Sequence, residues 1–463
     1  MRRWIFPAAL LLVLAGAAAW WSLRVDPEQV DRLSAADLSA ALALDSRMPL
    51  DADHTDLVLV IACTLRHDHL EPYGYDRPTS PFLDQLAARG VLFEEQFAQA
   101  PWTRPSVGSM LTGRWPRALG LDDPGPNATY DAVLSDRHTT LAELLQARGY
   151  ATYGAVANPN ALSGFGFAQG FDGYMEPEGR FDNATMPESD ALVDRLLADL
   201  AGVPASQRVY LQMLTTDTHQ KLRPKRRYSS LFPALPQLVR LYDENIRALD
   251  REIARLYVGV KKLRPNALFV VAADHGEGLN QPEHHGRGHG NYLNRSTTQV
   301  PLIVQHPQLP EGARVGVPTM NLDLLPTLLD LLQIAPPEPV DGRSAASRIR
   351  GQKGSLHQTV YAETFFSDGH KSMAWNGRFQ LIFDHETGKE ELYAADDPQA
   401  LHDKTRESSR ANVLREDLRA WDAQMDALQQ ASGPMELATP DAQTNQMLEA
   451  MGYKEDAPPP TAP

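Results

Sequence analysis

From Asp56 to Val304 the chain repeats one alternation: a short unbroken apolar run, then a longer stretch whose apolar residues recur every three or four positions. The short runs stand at Asp56–Cys63 (DLVLVIAC), Val91–Gln99 (VLFEEQFAQ), Ala151–Ala157, Val209–Leu214, Asn266–Asp274 (NALFVVAAD) and Val300–Val304 (VPLIV). Runs of this length, apolar at successive positions, predict strands buried on both faces. The longer stretches carry helix signals. In "TSPFLDQLAARG", residues 79–90, Thr79 or Ser80 serves as cap, Pro81 falls in the first turn and Gly90 marks the stop. Residues 140–149, 188–200, 238–263 and 321–334 read as further helices. Strands alternating with helices predict an α/β fold: a mostly parallel sheet sandwiched by helices.

The texture changes after "APPEPVDG", residues 335–342. "TVYAETF", "KSMAWNGRFQLIF" and "EELYAA" predict a small antiparallel sheet, closed by a helix around residues 410–430. The expected organisation is an N-terminal targeting segment over 1–24 and a stalk over 25–53. An α/β core over 54–335, a smaller subdomain over 336–453 and a Pro-rich tail over 454–463 complete it.

Two features of the composition change this picture. Arg2 and Arg3 precede an uncharged stretch from Trp4 to Leu23, and a helix of about twenty residues spans roughly the 30 Å of a bilayer core. It reads either as a retained signal anchor or as a signal peptide cleaved near Ala17–Ala19. Both place the rest of the chain in an extracytoplasmic space, periplasmic or cell-surface. Lys and Arg number 44 against 59 Asp and Glu, a net charge of −15, which argues against a nucleic-acid partner held on a basic surface. With a single cysteine, Cys63, the chain has no internal disulfide.

Candidate chemistry gathers where apolar runs end, as it does in parallel-sheet enzymes. The first run delivers Cys63, followed by Arg66, Asp68 and His69. "PWTRPSVGSMLTG" places Thr103 before small residues that can open a helix, where a hydroxyl sits beside anion-binding backbone donors or simply caps the helix. "AADHGEGLNQPEHHGRGHG" ends a buried strand in Asp274-His275 and then supplies His284, His285 and His289, a dense set of metal-ligand types.

These motifs, taken in order, resemble the sulfatase family of the alkaline-phosphatase-like superfamily, in its bacterial branch. The resemblance runs through "CTLRHDHLEPYGYDRPTSPFLDQLAARG", "APWTRPSVGSMLTGRWP", "YDENIRALDREI", "ADHGEGL", "HHGRGHG", "VPLIV", "LDLLPTLLDLL", "VDGRS", "ELYAADDPQ" and "LEAMGY". It implies a metal-dependent hydrolase or phosphotransferase acting on sulfate or phosphate esters. Thr103 falls at the position of the family's nucleophile, and a threonine cannot become the formylglycine of standard sulfatases, which favours phospho- over sulfo-transfer. Asp274 and His275 match a metal-binding pair, and Thr103 adds an oxygen. His219 matches a substrate-side histidine, and His289 (or His285) a proton donor to the leaving group. Arg104 and Arg66 are candidate guanidinium partners for an anionic ester, drawn from an envelope glycan or lipid headgroup.

Two positions depart from the family pattern. Val107 replaces an arginine, and Cys63 replaces the first metal-binding acid. As a thiolate ligand Cys63 would select zinc; otherwise one calcium, magnesium or manganese ion is expected. As an inert buried thiol it would leave a catalytically inactive fold that binds an envelope glycan, a lipid headgroup or a protein partner. A nucleophilic Cys63 is poorly placed, because attack is expected from Thr103.

Overall fold

The computed structural model describes residues 48–121, 131–177, 187–219, 222–233, 235–280, 287–336, 338–366, 369–397, 403–404, 411–451 and 453. The N-terminal apolar segment, His284, His285 and the Pro-rich tail lie outside them. No described helix is long and apolar enough to cross a membrane.

Strand β1 (Leu57–Ala62) is buried at every position. Its side chains alternate between two cores: Leu57, Leu59 and Ile61, with Cys63 beyond the strand, face one; Val58, Val60 and Ala62 face the other. The period of two, with both faces covered, explains why the sequence reads as an unbroken apolar run. The second core is closed by α1 (Pro81–Ala88), α4 (Ser189–Gly202) and α5 (Gln237–Leu263). The first is closed by α2 (Thr103–Thr112), α3 (Leu141–Gln146) and α6 (Leu324–Leu331). Helix α3 starts in a reciprocal cap, Thr140 bonding the Glu143 amide and the Glu143 side chain bonding back.

The remaining strands are β2 (Val91–Phe97), β3 (Ala151–Val156), β4 (Gly173–Met175), β5 (Val209–Thr215), β6 (Leu268–Ala272), β7 (Gln299–Gln305) and β8 (Ala313–Val315). They lie in the order β8-β2-β7-β6-β1-β5-β3-β4, with Thr319–Met320 beside β2. Pairing is parallel from β6 through β1, β5 and β3 to β4. Only β7 runs antiparallel to its neighbours β2 and β6. Because β1 is central, its carboxyl end lies beside those of β5 and β6, and the three loops that leave them meet.

The smaller subdomain has a four-stranded antiparallel sheet, β9 (Val360–Thr364), β10 (Lys371–Trp375), β11 (Phe379–Asp384) and β12 (Glu390–Ala394). It is covered by α7 (Asn412–Ser432), whose Leu414, Leu418, Trp421 and Met425 enter a third core. A last helix, α8 (Ala442–Met451), returns to the main domain and buries Met447, Leu448 and Met451 in the first core.

Candidate functional site

The chain beyond β1 turns sharply. Thr64 adopts φ 63°, a left-handed conformation costly for a β-branched residue and worth about 1–3 kcal/mol of strain. The turn aims the Thr64 amide at Asp274 Oδ1, 3.1 Å away, while Tyr242 Oη donates to the Thr64 carbonyl at 2.6 Å. Cys63 is left facing α2.

Asp274 and His275 follow β6. The Asp274 backbone carbonyl accepts from Ser106 Oγ (2.5 Å) and Asn321 Nδ2 (3.0 Å), which ties the strand end to α2. Gly276 must lack a side chain, since a Cβ there would lie 1.8 Å from the Ser296 carbonyl oxygen. The resulting close approach holds the His275 ring, whose Nδ1 donates to the Gly276 carbonyl at 2.9 Å. That bond leaves Nε2 as the unprotonated nitrogen. Burial holds the ring neutral, with its pKa lowered to about 3.

Lone pairs therefore converge. His275 Nε2 lies 3.5 Å from Asp274 Oδ2, 3.8 Å from Cys63 Sγ and 3.3 Å from Thr103 Oγ1. Asp274 Oδ2 is buried without a hydrogen-bond partner. Ligand atoms of Cys63, Asp274 and His275 fall within 4.8 Å of one another, all in buried residues. A carboxylate oxygen facing an imidazole lone pair with nothing between is electrostatically unfavourable, and a cation relieves it. The donor set fits a metal. Burial first, and Asp274 second, push the Cys63 thiol well above its usual pKa, so only a cation would hold it as thiolate.

Thr103 opens α2 and is fully buried. Asn158 Nδ2 donates to Thr103 Oγ1 at 3.0 Å and to Cys63 Sγ at 3.3 Å; Asn158 Oδ1 is engaged by the Asn160 amide, which fixes the amide orientation. On the side of Thr103 away from β1 stand the buried His219 and His289, ring centroids 4.9 Å apart, with Tyr453 Oη between them and Thr103. His289 Nδ1 faces the Glu277 carboxylate at 3.3 Å, so Nε2 points inward, and burial lowers its pKa to about 3.

The structure thus brings Cys63, Thr103, Asp274, His275, His219 and His289 together. It commits both arginines to protein partners, with Arg66 also reaching the Glu277 carbonyl at 3.2 Å. Arg66 makes a paired bond to Asp68, at 2.9 and 2.6 Å. Arg104 is buried against Asn160 and the Ala132 carbonyl, its guanidinium 3.7 Å from the Phe165 ring centre. Three members escaped the sequence reading: Asn158, Glu277 and Tyr453. Glu277 had a signal, two residues beyond His275 in "ADHGEG"; Asn158, just past the third strand run, had only its place at a strand end.

A predominantly parallel sheet between helices, with this cluster at its central strand ends and a small antiparallel sheet appended, defines the alkaline-phosphatase-like fold. The sulfatase family profile matches residues 55–334, and the chain belongs to that family. Among relatives, a sulfatase of Formosa agariphila is 22% identical over 426 residues, 74% of this chain and 81% of that protein. Arylsulfatase A of Bos taurus is 38% identical over 104 residues, 22% of this chain; the match spans only 20% of that enzyme's length. Among solved structures, the phosphonate monoester hydrolase of Agrobacterium radiobacter superposes with a TM-score of 0.64 at 17% identity, covering 81% of this chain and 96% of that one. A protein solved with its substrate D-glucosamine-2-N,6-O-disulfate gives 0.65 at 15% identity, covering 82% and 99%.

Proposed function

We propose that the protein is an extracytoplasmic, metal-dependent hydrolase or phosphotransferase of phosphate, phosphonate or sulfate esters, acting through Thr103. The observation that carries this reading is the Thr103 hydroxyl, held by Asn158 at 3.0 Å beside the unbalanced Cys63–Asp274–His275 cluster. Cys63, Asp274 and His275 would hold the metal, with Thr103 Oγ1 adjacent, and thiolate with imidazole and carboxylate suits zinc. Such an ion acidifies a neighbouring hydroxyl and polarises an ester oxygen.

The chain's own groups supply the rest. Thr103 Oγ1, its proton released to solvent, forms a bond to phosphorus or sulfur as the bond to the ester oxygen breaks, leaving a threonine ester. Asn158 orients the attacking oxygen. His219 and His289 face the side from which an ester would approach. An anion beside His289, with Glu277 behind it, favours the imidazolium and opposes the effect of burial. His289 Nε2 then protonates the departing alcohol. Water, or an acceptor alcohol, releases the threonine ester. The absence of formylglycine chemistry at a threonine favours phosphorus over sulfur, and the likeness to a phosphonate monoester hydrolase supports that choice. The Arg2–Leu23 segment supports export, with the membrane reached through that segment if it is retained.

A screen of aryl phosphate diesters, phosphonate monoesters and aryl sulfates on the purified chain tests the proposal. Turnover abolished by Thr103→Ala supports it. Metal bound without turnover of any class would instead favour a binding protein for an anionic glycan or lipid headgroup.

A further inference from the structure

Among the described residues, one hydroxyl touches Thr103, His219 and His289 together. Tyr453 Oη lies 3.4 Å from Thr103 Oγ1, 3.2 Å from His219 Nε2 and 3.2 Å from His289 Nε2. These are the contacts an ester oxygen would make if Thr103 attacked its phosphorus or sulfur. The ring packs against Trp102 and Phe366, with centroids 6.4 and 6.3 Å away. Tyr453 is 3% exposed, and Thr103, Cys63 and Asp274 are 0% exposed. As it stands, the site admits no ester.

The mounting of Tyr453 is separable from the sheet. Its amide bonds the Leu448 carbonyl at 2.9 Å, so it rides on α8. That helix buries only Met447, Leu448 and Met451, its other described residues being partly or fully exposed. It supplies no strand to either sheet. Before α8, the chain leaves α7 at Gly433 (φ 78°) and runs along residues 131–135 through main-chain bonds of Val133 to Glu436 and Ala438 to Asp131. Beyond Tyr453 itself, the segment is held by three buried side chains, by the partly buried Met435 and Ala438, and by the Ser135–Glu436 bond (2.5 Å), few enough contacts to place it toward the low-stability end of the fold.

We propose that α8 and Tyr453 form a latch: Tyr453 fills the ester subsite, and substrate enters only when this segment withdraws from His219 and His289. The proposal rests on Thr103 as the reacting centre, but its physical content is a closed and an open state of the site.

Cys63 reports that opening directly, because it is the chain's only cysteine and sits 3.4 Å from Thr103. The full-length protein, kept in chelator to free the thiol, is labelled with a small aromatic disulfide reagent under native conditions. The latch predicts slow labelling of wild type and a rate at least about tenfold higher for Tyr453→Ala, with Leu448→Ala also faster. Leu392→Ala, a core truncation in the smaller sheet, controls for general destabilisation and should label like wild type. Equal rates for wild type and Tyr453→Ala would overturn the latch, as would a Leu392→Ala rate matching that of Tyr453→Ala. With an active ester in hand, Tyr453→Ala should lower KM, and an unchanged or raised KM would overturn the latch. A lower kcat at unchanged KM would make Tyr453 a catalytic group and also overturn the latch. Inactivity of every variant would count against Thr103 and leave the labelling result standing.

Discussion

Two clusters of metal-ligand side chains occur among the described residues, and they are built on opposite principles. One is Cys63, Asp274 and His275; the other is His370, His385 and Asp422, between the smaller sheet and α7. In the second cluster a cation is already resident. Arg117, at the start of the four-residue helix after α2, is 2% exposed, bonds Glu363 through Nε (2.8 Å) and Nη2 (2.6 Å), and reaches Asp426 at 2.5 Å and His370 Nε2 at 3.2 Å. The imidazoles of His370 and His385 stack at 3.7 Å on the edge of that network. The first cluster has no such partner: its expected guanidiniums, Arg66 and Arg104, are committed elsewhere, and Asp274 Oδ2 is orphaned. Residue types alone make the two look alike. The position of positive charge separates an ion-pair network that stabilises a domain seam from a site that calls for an ion.

Substitutions can break that contrast. The largest effect belongs to Thr103→Ala, expected to remove at least about a thousandfold of ester turnover, as loss of a nucleophile does, with the melting temperature nearly unchanged. Next, Arg117→Met strands buried Glu363 and should destabilise the protein by about 3–5 kcal/mol in denaturant titrations. Asp274→Asn, measured in chelator, should by contrast be neutral or stabilising, because it removes an unpaired buried charge. A destabilising Asp274→Asn with a neutral Arg117→Met would invert the account.

Titration sharpens the same point. Burial, followed by the nearby Glu363 carboxylate, raises Asp422 to about 7. The unfolded value is about 3.9, so protonated Asp422 favours the fold. Its contribution is complete below about pH 4 and is lost as pH rises through 7. The stability difference between wild type and Asp422→Asn should therefore change across that window and be flat above it. Smallest of all, Ser372→Ala deletes the 2.8 Å bond to His385 and should cost about 1 kcal/mol.

Much of the scaffold was legible because strands buried on both faces leave a one-dimensional trace. The runs at 56–63, 151–157 and 209–214 became β1, β3 and β5 with ends shifted by one residue at most. The direction of β7 was not legible, since an antiparallel strand deep in a sheet is as apolar as a parallel one. Strands β4 and β8, with three residues each, are too short to show a period. At the site, strand-end position put Cys63, Asp274 and His275 on view. Side-chain direction escaped: Arg104 follows Thr103 in sequence yet points into the core beside Phe165. Tyr453 ends the "LEAMGY" motif, yet its contact with Thr103 spans 350 positions, so nothing local tied it to the site.

Elemental analysis of the purified full-length chain shows whether Cys63, Asp274 and His275 hold a metal ion. Wild type should carry about one zinc per chain, lost in both Asp274→Asn and Cys63→Ala, with Cys63→Asp exchanging zinc for calcium or magnesium. A metal-free wild-type protein, or zinc retained by Asp274→Asn, would contradict a metal site there.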